Sequence, residues 1–463
     1  MSDGLTQSVE LMRADGAAPE AVATFSRFYR QLLAGESGLI REDTIDPIED
    51  PPTLDSLDVT PAAAADAFAR TVVIKLNGGL ATSMGLDRAK ALLPVKDGLS
   101  FLDVIARQVL AARAEHDAPL PLVLMNSFRT RDDSLAVLAA YPDLVVDGLA
   151  PDMLQHREPK LLASDLTPVR WPADPELAWC PPGHADLYPT LRATGLLADL
   201  LERGYRYAFC SNADNLGATA DPRVPGWMAE RGIPFVMEVA RRTAADRKGG
   251  HLARRRADGR LVLRETAQTA DADLDALQDI GRHRYFNTNN VWIDLAALAA
   301  ALDADDGVLD LPMIRNPKTV DPQDPTSPVV IQIESAMGAA IQVFDGARAV
   351  GVGRDRFVPV KTTNDLLVLR SDLYELDERG HIVGSPRRRT PDDTVVDLDA
   401  THYKLLGDFE PRFPHGPPSL LGCTRLTVRG DVTFGAGVEA RGEVTVDAAV
   451  DGATVADGTV LGG

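Results

Sequence analysis

The chain has 463 residues, room for roughly two to four domains at about 150 residues each. Apolar residues make up 45% and charged residues 25%, which excludes wholesale disorder and allows several cores without covalent staples. Lys and Arg total 48 against 68 for Asp and Glu, a net charge of −20, so nucleic acid and anionic membranes are excluded as partners unless a basic patch is gathered locally. A polyanionic small substrate must be met in the same way, by local cations or by Mg²⁺.

In chain order, residues 1 to about 40 read as helix, with Val9, Leu11, Met12, Ala21, Val22, Phe25, Phe28 and Tyr29 at three- and four-residue steps. The stretch Asp46-Pro-Ile-Glu-Asp-Pro-Pro52 stops it, because adjacent prolines cannot continue a helix. A short helix follows from Ala62 to Arg70. From Thr71 the pattern alternates: strand Thr71–Leu76, helix 101–114, strand Leu120–Met125, helix Leu191–Arg203, strand Tyr205–Cys210 and strand Pro234–Val239. Such alternation predicts a largely parallel sheet with helices on both faces, and ligands on such sheets bind beyond the carboxyl ends of the strands. The loops after Leu76, Met125 and Cys210 are therefore the places to look.

The tail has another period. Leu426, Val432, Val438, Val444 and Val450 stand six apart, with Ala456 continuing the series, and Val428, Phe434, Ala440 and Val446 follow two residues behind. A six-residue apolar period fits a parallel β-helix, in which each short strand stacks on the next. An accidental spacing within a β-meander is the alternative. The end coils of a β-helix leave unpaired edges through which copies can associate.

Cys180, Cys210 and Cys423 are odd in number and far apart, so neither a disulfide scaffold nor a zinc ribbon is expected. The first residues lack the basic and apolar regions of a secretory signal, and no apolar run approaches the ~18 residues of a membrane span. A cytoplasmic protein is expected.

The strongest local motif is Lys75-Leu-Asn-Gly-Gly-Leu-Ala-Thr-Ser-Met-Gly85, with Lys90 beyond it. Gly78 and Gly79 at a strand end allow backbone N–H groups to approach a phosphate with no Cβ in the way. Thr82 and Ser83 add hydroxyls, and Lys90 can fold back onto the charge. Neither a Walker A loop nor a G-x-G-x-x-G fingerprint is present, and a glycine turn alone can be no more than a tight connection.

These residues, with Leu99-Ser-Phe-Leu-Asp103, resemble the eukaryote-type UTP–glucose-1-phosphate uridylyltransferases. The resemblance continues in order through Asn126-Ser-Phe, Trp179-Cys-Pro-Pro-Gly-His184, Ser211-Asn-Ala-Asp-Asn-Leu-Gly-Ala-Thr219, Phe235-Val-Met-Glu-Val239 and Lys248-Gly-Gly250. It runs on through Phe286-Asn-Thr-Asn-Asn290, Val360-Lys-Thr-Thr363 and Asp431-Val-Thr-Phe-Gly435, spanning about residues 71 to 440.

The resemblance implies a Rossmann-like, GT-A-like α/β nucleotidyltransferase with a mixed sheet flanked by helices, followed by a left-handed parallel β-helix. The expected units are an N-terminal helical segment (1–70), a catalytic domain (71–380) and a linker with the β-helix (381–463). The implied reaction joins UTP and glucose 1-phosphate into UDP-glucose and pyrophosphate, with Mg²⁺ as cofactor. The sugar phosphate attacks the α-phosphorus in line, so no protein nucleophile is required, and no elbow or Cys–His pairing suggests one.

The resemblance also assigns residues. Lys361 and Lys90 are the expected catalytic cations, and the nucleotide is expected to meet Leu76, Asn77, Gly78, Gly79, Lys90, Gln155, Gly183, Asn212, Asp214 and Lys361. Asp214 is the expected Mg²⁺ ligand, although by local sequence alone it reads more readily as a turn aspartate bonded to its own backbone. The sugar phosphate is expected to meet His184, Asn212, Glu238, Glu265 and Asn289. Locally, a lone loop histidine is more often structural than functional, and each glutamate reads alternatively as part of a surface strand with turn residues. The apolar flanks of Lys361, Phe357-Val-Pro-Val360 and Leu366-Leu-Val-Leu369, predict that it enters from a packed strand, where a phosphate would offset its burial.

Four departures stand out: Ala81 and Ala185 where glycine is usual, Leu86-Asp-Arg-Ala before Lys90, and Cys180 at a commonly aromatic position. The extra methyls are expected to reshape the uridine pocket. The rival readings are the same chemistry on galactose 1-phosphate, N-acetylglucosamine 1-phosphate or a range of sugars, a non-catalytic nucleotide-sugar sensor, and a β-helix acyltransferase. The last needs a histidine within the coils, yet His402 and His415 precede them. A homo-oligomer through the β-helix is possible.

Overall fold

A computed structural model describes residues 3–86, 88–243, 246–390, 394–448 and 452–462; Asp87, Val450 and the Ser83 side chain lie outside the described residues. The chain builds a mixed α/β fold around a ten-stranded sheet. Its main path runs Ile45–Pro47, His251–Arg255, Tyr285–Asp294, Tyr207–Asn212, Thr71–Asn77, Leu122–Asn126, Asp152–Leu154. The last four strands are mutually parallel. Tyr285–Asp294 runs against both Tyr207–Asn212 and Phe235–Arg241. The sheet is therefore mixed, where strand–helix alternation had pointed to a largely parallel one.

Thr71–Asn77 shows how the sheet divides the core. Val72 and Ile74 face the helices Pro19–Leu33 and Leu187–Ala193, while Val73 faces Phe101–His116, because successive side chains of a strand point to opposite faces. Each such buried aliphatic contributes about 1.5–3 kcal/mol. The helix Phe101–His116 starts where its sequence dictates: Ser100 and Asp103 cap each other's backbone N–H groups. The N-terminal helix is two helices, Asp3–Ala14 and Pro19–Leu33, and the expected helix Leu191–Arg203 is likewise two, Leu187–Ala193 and Leu196–Glu202, with Gly195 at φ +76° between them.

The N-terminal segment adds the edge strand Ile45–Pro47 to the main sheet. Glu42 clamps it there, accepting from Arg282 Nε at 2.7 Å and His283 Nε2 at 3.0 Å, with Arg264 as a third donor. His283 stacks on the buried His251 with ring centres 3.7 Å apart.

At the other end, Val395–Leu398, Ser419–Arg429, Glu439–Asp447 and Val460–Leu461 pair in parallel, and Val432–Phe434 pairs with Ala453–Val455 in a second parallel ladder. Leu426 lies opposite Val444 and Val428 opposite Val446, so three apolar hexads separate one strand from the next. Leu426, Val428, Val432, Phe434 and Val438 share a core with Phe101, Ile105 and Leu366. No helix among the described residues is long and apolar enough to cross a membrane.

Candidate active site

The parallel strands deliver their loops to one edge, as expected. Thr71–Asn77 ends in the glycine turn, and Tyr207–Asn212 ends two residues before Asp214. Between them lies a cavity of about 300 Å³, lined by Gly78, Gly79, Lys90, Gln155, His184 and Asp214, together with Leu76, Asn77, Gly183 and Asn212. All but one of the ten expected nucleotide-binding residues thus face one space; Lys361 stands beside it.

The turn closes on itself. The Lys90 N–H donates to the Gly79 carbonyl at 3.1 Å and Leu80 bridges Ala89, so Lys90 folds back over the glycines. Its ammonium donates to Asp214 Oδ2 at 2.6 Å, with both side chains partly buried. Asp214 Oδ1 is buried and has no partner among the described residues. A Cβ at Gly79 would meet nothing within 4 Å, whereas a Cβ at Gly78 would overlap the Gln155 amide. Gly78 is thus glycine for close approach, and Gly79 leaves bare backbone facing the cavity.

Gly183, at φ +86°, makes the opposite wall by wedging against the Ser335 backbone. His184 follows it. Its Nδ1 accepts the Met337 N–H at 2.7 Å, which puts the ring proton on Nε2, the nitrogen left to donate. The residue is exposed at the cavity mouth, and the protein packed near the ring lowers its pKa to about 4. It is a neutral donor.

Asn289 joins from the long strand Tyr285–Asp294. The register against Phe235–Arg241 jumps from Asn290, opposite Glu238, to Asn287, opposite Val239. This bulge puts Asn289 at φ +61° and swings its amide to donate to Asn212 Oδ1 at 2.9 Å. Asn289 Oδ1 is left buried and unpartnered among the described residues.

Lys361 is not on a strand. It sits exposed on a loop just ahead of the helix Thr363–Arg370, whose start is fixed by reciprocal Thr362 and Asp365 caps. Leu366–Leu369 belongs to that helix, so the lysine needs no anion to offset burial. The loop is tied to the site nonetheless, because the Val360 N–H donates to the Asp214 carbonyl at 3.2 Å. Glu265 lies within electrostatic reach of Lys361; burial raises the Glu265 carboxyl pKa and the lysine partly offsets this. A Cβ on Gly250 would overlap the Glu265 carboxylate.

Glu238 requires correction. It is fully buried and accepts from Arg356 Nε at 2.9 Å and Nη2 at 2.6 Å, Trp292 Nε1 at 3.0 Å and Asn290 Nδ2 at 3.0 Å. Both oxygens are occupied away from the cavity, so it anchors the core and does not accept a sugar hydroxyl. Asn77 is similar in part: it lines the cavity, but its amide donates inward to Asn126 Oδ1 and Ser134 Oγ, so it offers backbone only. Ala81 and Ala185 are buried in the apolar packing, Cys180 is buried near Glu158 and Lys160, and none of the three lines the cavity, so their departures from the family pattern leave its wall unchanged.

Sequence reasoning missed Arg356, whose Nη2 also donates to the Thr219 carbonyl at 2.7 Å below the Asp214 loop. An isolated arginine in Arg354-Asp-Arg carries no motif, and only burial marks it. Among the described residues no group of three or more His, Cys, Asp or Glu could hold a metal. A single carboxylate with a free oxygen beside a phosphate turn suits Mg²⁺, which keeps waters and takes substrate phosphates as ligands.

The model of the UTP–glucose-1-phosphate uridylyltransferase family matches residues 22–441. The chain belongs to this family. The uridylyltransferase of Solanum tuberosum is 38% identical over 414 residues, covering 88% of this chain and 84% of that protein. That of Saccharomyces cerevisiae is 38% identical over 380 residues, covering 82% and 74%. Among solved structures, a UDP-glucose phosphorylase of Trypanosoma brucei superposes with a TM-score of 0.91 at 44% identity, covering 99% of this chain and 98% of that one. A mutant UDP-glucose pyrophosphorylase of Leishmania major in complex with UDP-glucose gives 0.92 at 43% identity, covering 100% and 98%. As a family member, the chain is a nucleotidyltransferase.

Proposed function

We propose that this uridylyltransferase joins UTP and glucose 1-phosphate at the cavity between Gly79 and Asp214, releasing pyrophosphate. The observation that carries the reading is the convergence of Lys90, Asp214 and the Lys361 loop on one glycine turn. A sugar-phosphate oxygen forms a bond to the α-phosphorus of UTP while the bond from that phosphorus to the bridging oxygen breaks, and the electron pair leaves with pyrophosphate. The obstacle is charge: at contact, two unit charges repel by about 4 kcal/mol at an effective dielectric near 20, and each reactant carries more than one.

The residues divide the work. The backbone of Gly78 and Gly79 offers N–H dipoles to the phosphates, while Lys90 and Lys361 neutralise the charge that the two anions share. Gln155 and Gly183 hold the uracil. His184 Nε2–H donates to a phosphate or hydroxyl without adding charge. The Asn212–Asn289 pair and Glu265 face the sugar hydroxyls. Asp214, through its free Oδ1, would hold Mg²⁺, which supplies further positive charge to the phosphates when bound.

The finer architecture belongs to the same reading. Residues 71–380 act as a GT-A-like catalytic unit, flanked by residues 1–70 and by residues 381–463, and the parallel ladders at the C-terminus are coils of a left-handed β-helix. Three hexads per turn support this, as does the burial of Leu426, Val432 and Val438. The edge strand Val460–Leu461 offers backbone groups through which a homo-oligomer can form, which light scattering tests. Three free, buried cysteines suit a reducing cytoplasm.

A pyrophosphate-release assay with and without Mg²⁺ tests the reaction, run with UTP, dTTP and ATP against glucose, galactose and N-acetylglucosamine 1-phosphates. Mg²⁺-dependent release that is fastest with UTP and glucose 1-phosphate is expected. No release from any pair overturns the reading.

A further inference from the structure

Beneath the Asp214 loop lies a cation that the chemistry above leaves unused. Lys75 stands within the strand Thr71–Asn77, three residues before Gly78, and is 1% exposed. A lysine inside a sheet is costly, and burial pulls its pKa down to about 7. Something must hold it there. Its Nζ donates to Ser211 Oγ at 2.8 Å and to the Ala218 carbonyl at 2.7 Å, and it lies 5.6 Å from the centre of the Phe209 ring.

The two acceptors bracket residues 212–217, the segment that carries Asn212 and Asp214. One ammonium therefore links the strand that ends in the glycine turn to both ends of the loop that bears the carboxylate. Other groups work on the same loop: Gln108 Nε2 donates to the Leu216 carbonyl at 3.0 Å, and Asn215 Oδ1 accepts from Val358 N–H at 2.9 Å. No carboxylate partner accounts for the lysine, since Glu238, the acid whose charge it feels, is already held by Arg356.

We propose that Lys75 is a positioning residue for uridylyl transfer, its buried ammonium holding Asn212 and Asp214 in register with the glycine turn. The proposal rests on the role given above to Asp214. It concerns alignment more than ground-state affinity, so its loss falls on turnover.

Lys75→Met keeps most of the side-chain length and removes the charge and both hydrogen bonds. In folded enzyme, kcat is expected to fall about tenfold or more while KM for UTP stays within about threefold. A kcat reduced by less than about fivefold, whatever happens to KM or to melting temperature, overturns the proposal. If that variant does not fold, Ser211→Ala, which removes one acceptor at little change in volume, carries the test with the same threshold. Asp214→Asn separates the two readings. An active Asp214→Asn enzyme discredits the site itself, whereas an inactive one beside a fully active Lys75→Met enzyme discredits Lys75 alone.

Discussion

Lys90 donates to one carboxylate oxygen of Asp214 and leaves the other buried, without a partner among the described residues. A carboxylate so placed is restrained by one cation and open to a second. Asp214→Asn keeps the shape and removes the charge. Turnover is expected to fall about 10²–10³-fold, the usual cost of removing one electrostatic contact to a developing charge. Steady-state kinetics at saturating UTP and Mg²⁺ check it, and near-normal turnover would remove Asp214 from the chemistry.

Lys361 offers a cleaner separation of folding from catalysis, because it is exposed and its loop is held by backbone bonds and caps. Lys361→Ala is expected to change stability by no more than about 0.5 kcal/mol. Turnover is expected to drop by about 10² or more, with UTP binding still measurable by calorimetry. Ordinary turnover in that variant would remove Lys361 from the chemistry.

At Gly78 the obstruction is the end of a flexible side chain, so Gly78→Ala is expected to fold and to push the Gln155 amide aside. The uracil then loses its reader: KM for UTP should rise by about tenfold and preference over ATP weaken, while preference over dTTP, whose base has the same polar edge, stays put. Competition assays among the three nucleotides report both. An unchanged KM would mean that Gln155 does not touch the base.

The stacked His251 and His283 make acid stability a test of the N-terminal clamp. Burial lowers the pKa of both, that of His251 to about 2. Their folded values lie below the unfolded value near 6.5, so between these limits the unfolded chain binds more protons and stability falls as pH falls. Each histidine contributes at most about 1.4 kcal/mol per pH unit in that window. Urea midpoints at pH 7.5 and 5 should diverge, and His251→Phe should reduce the divergence. Equal slopes in parent and variant would contradict it.

What was legible in the chain was whatever depends on a few adjacent residues. The strand into Gly78-Gly79, the Ser100 and Asp103 caps and the parallel hexads of the tail each declare their backbone geometry locally. Lys361 was misjudged because four apolar residues in a row suit a buried strand as well as a helix. Thr362 and Asp365, three apart, were the overlooked sign of a helix start. Glu238 failed for a different reason. Its neighbours Val236, Met237 and Val239 mark a strand, but nothing local reveals that Asn290 and Trp292 of one distant strand and Arg356 of another stretch converge on its carboxylate.

The bond from the Val360 N–H to the Asp214 carbonyl also orders events in time. A polypeptide emerging from the ribosome carries the glycine turn early and the aspartate midway, yet the last ammonium arrives only with the segment that this bond docks. A chain cut before residue 360 would lack this tie and the Lys361 ammonium, and with them the tail residues that complete the core around Phe101.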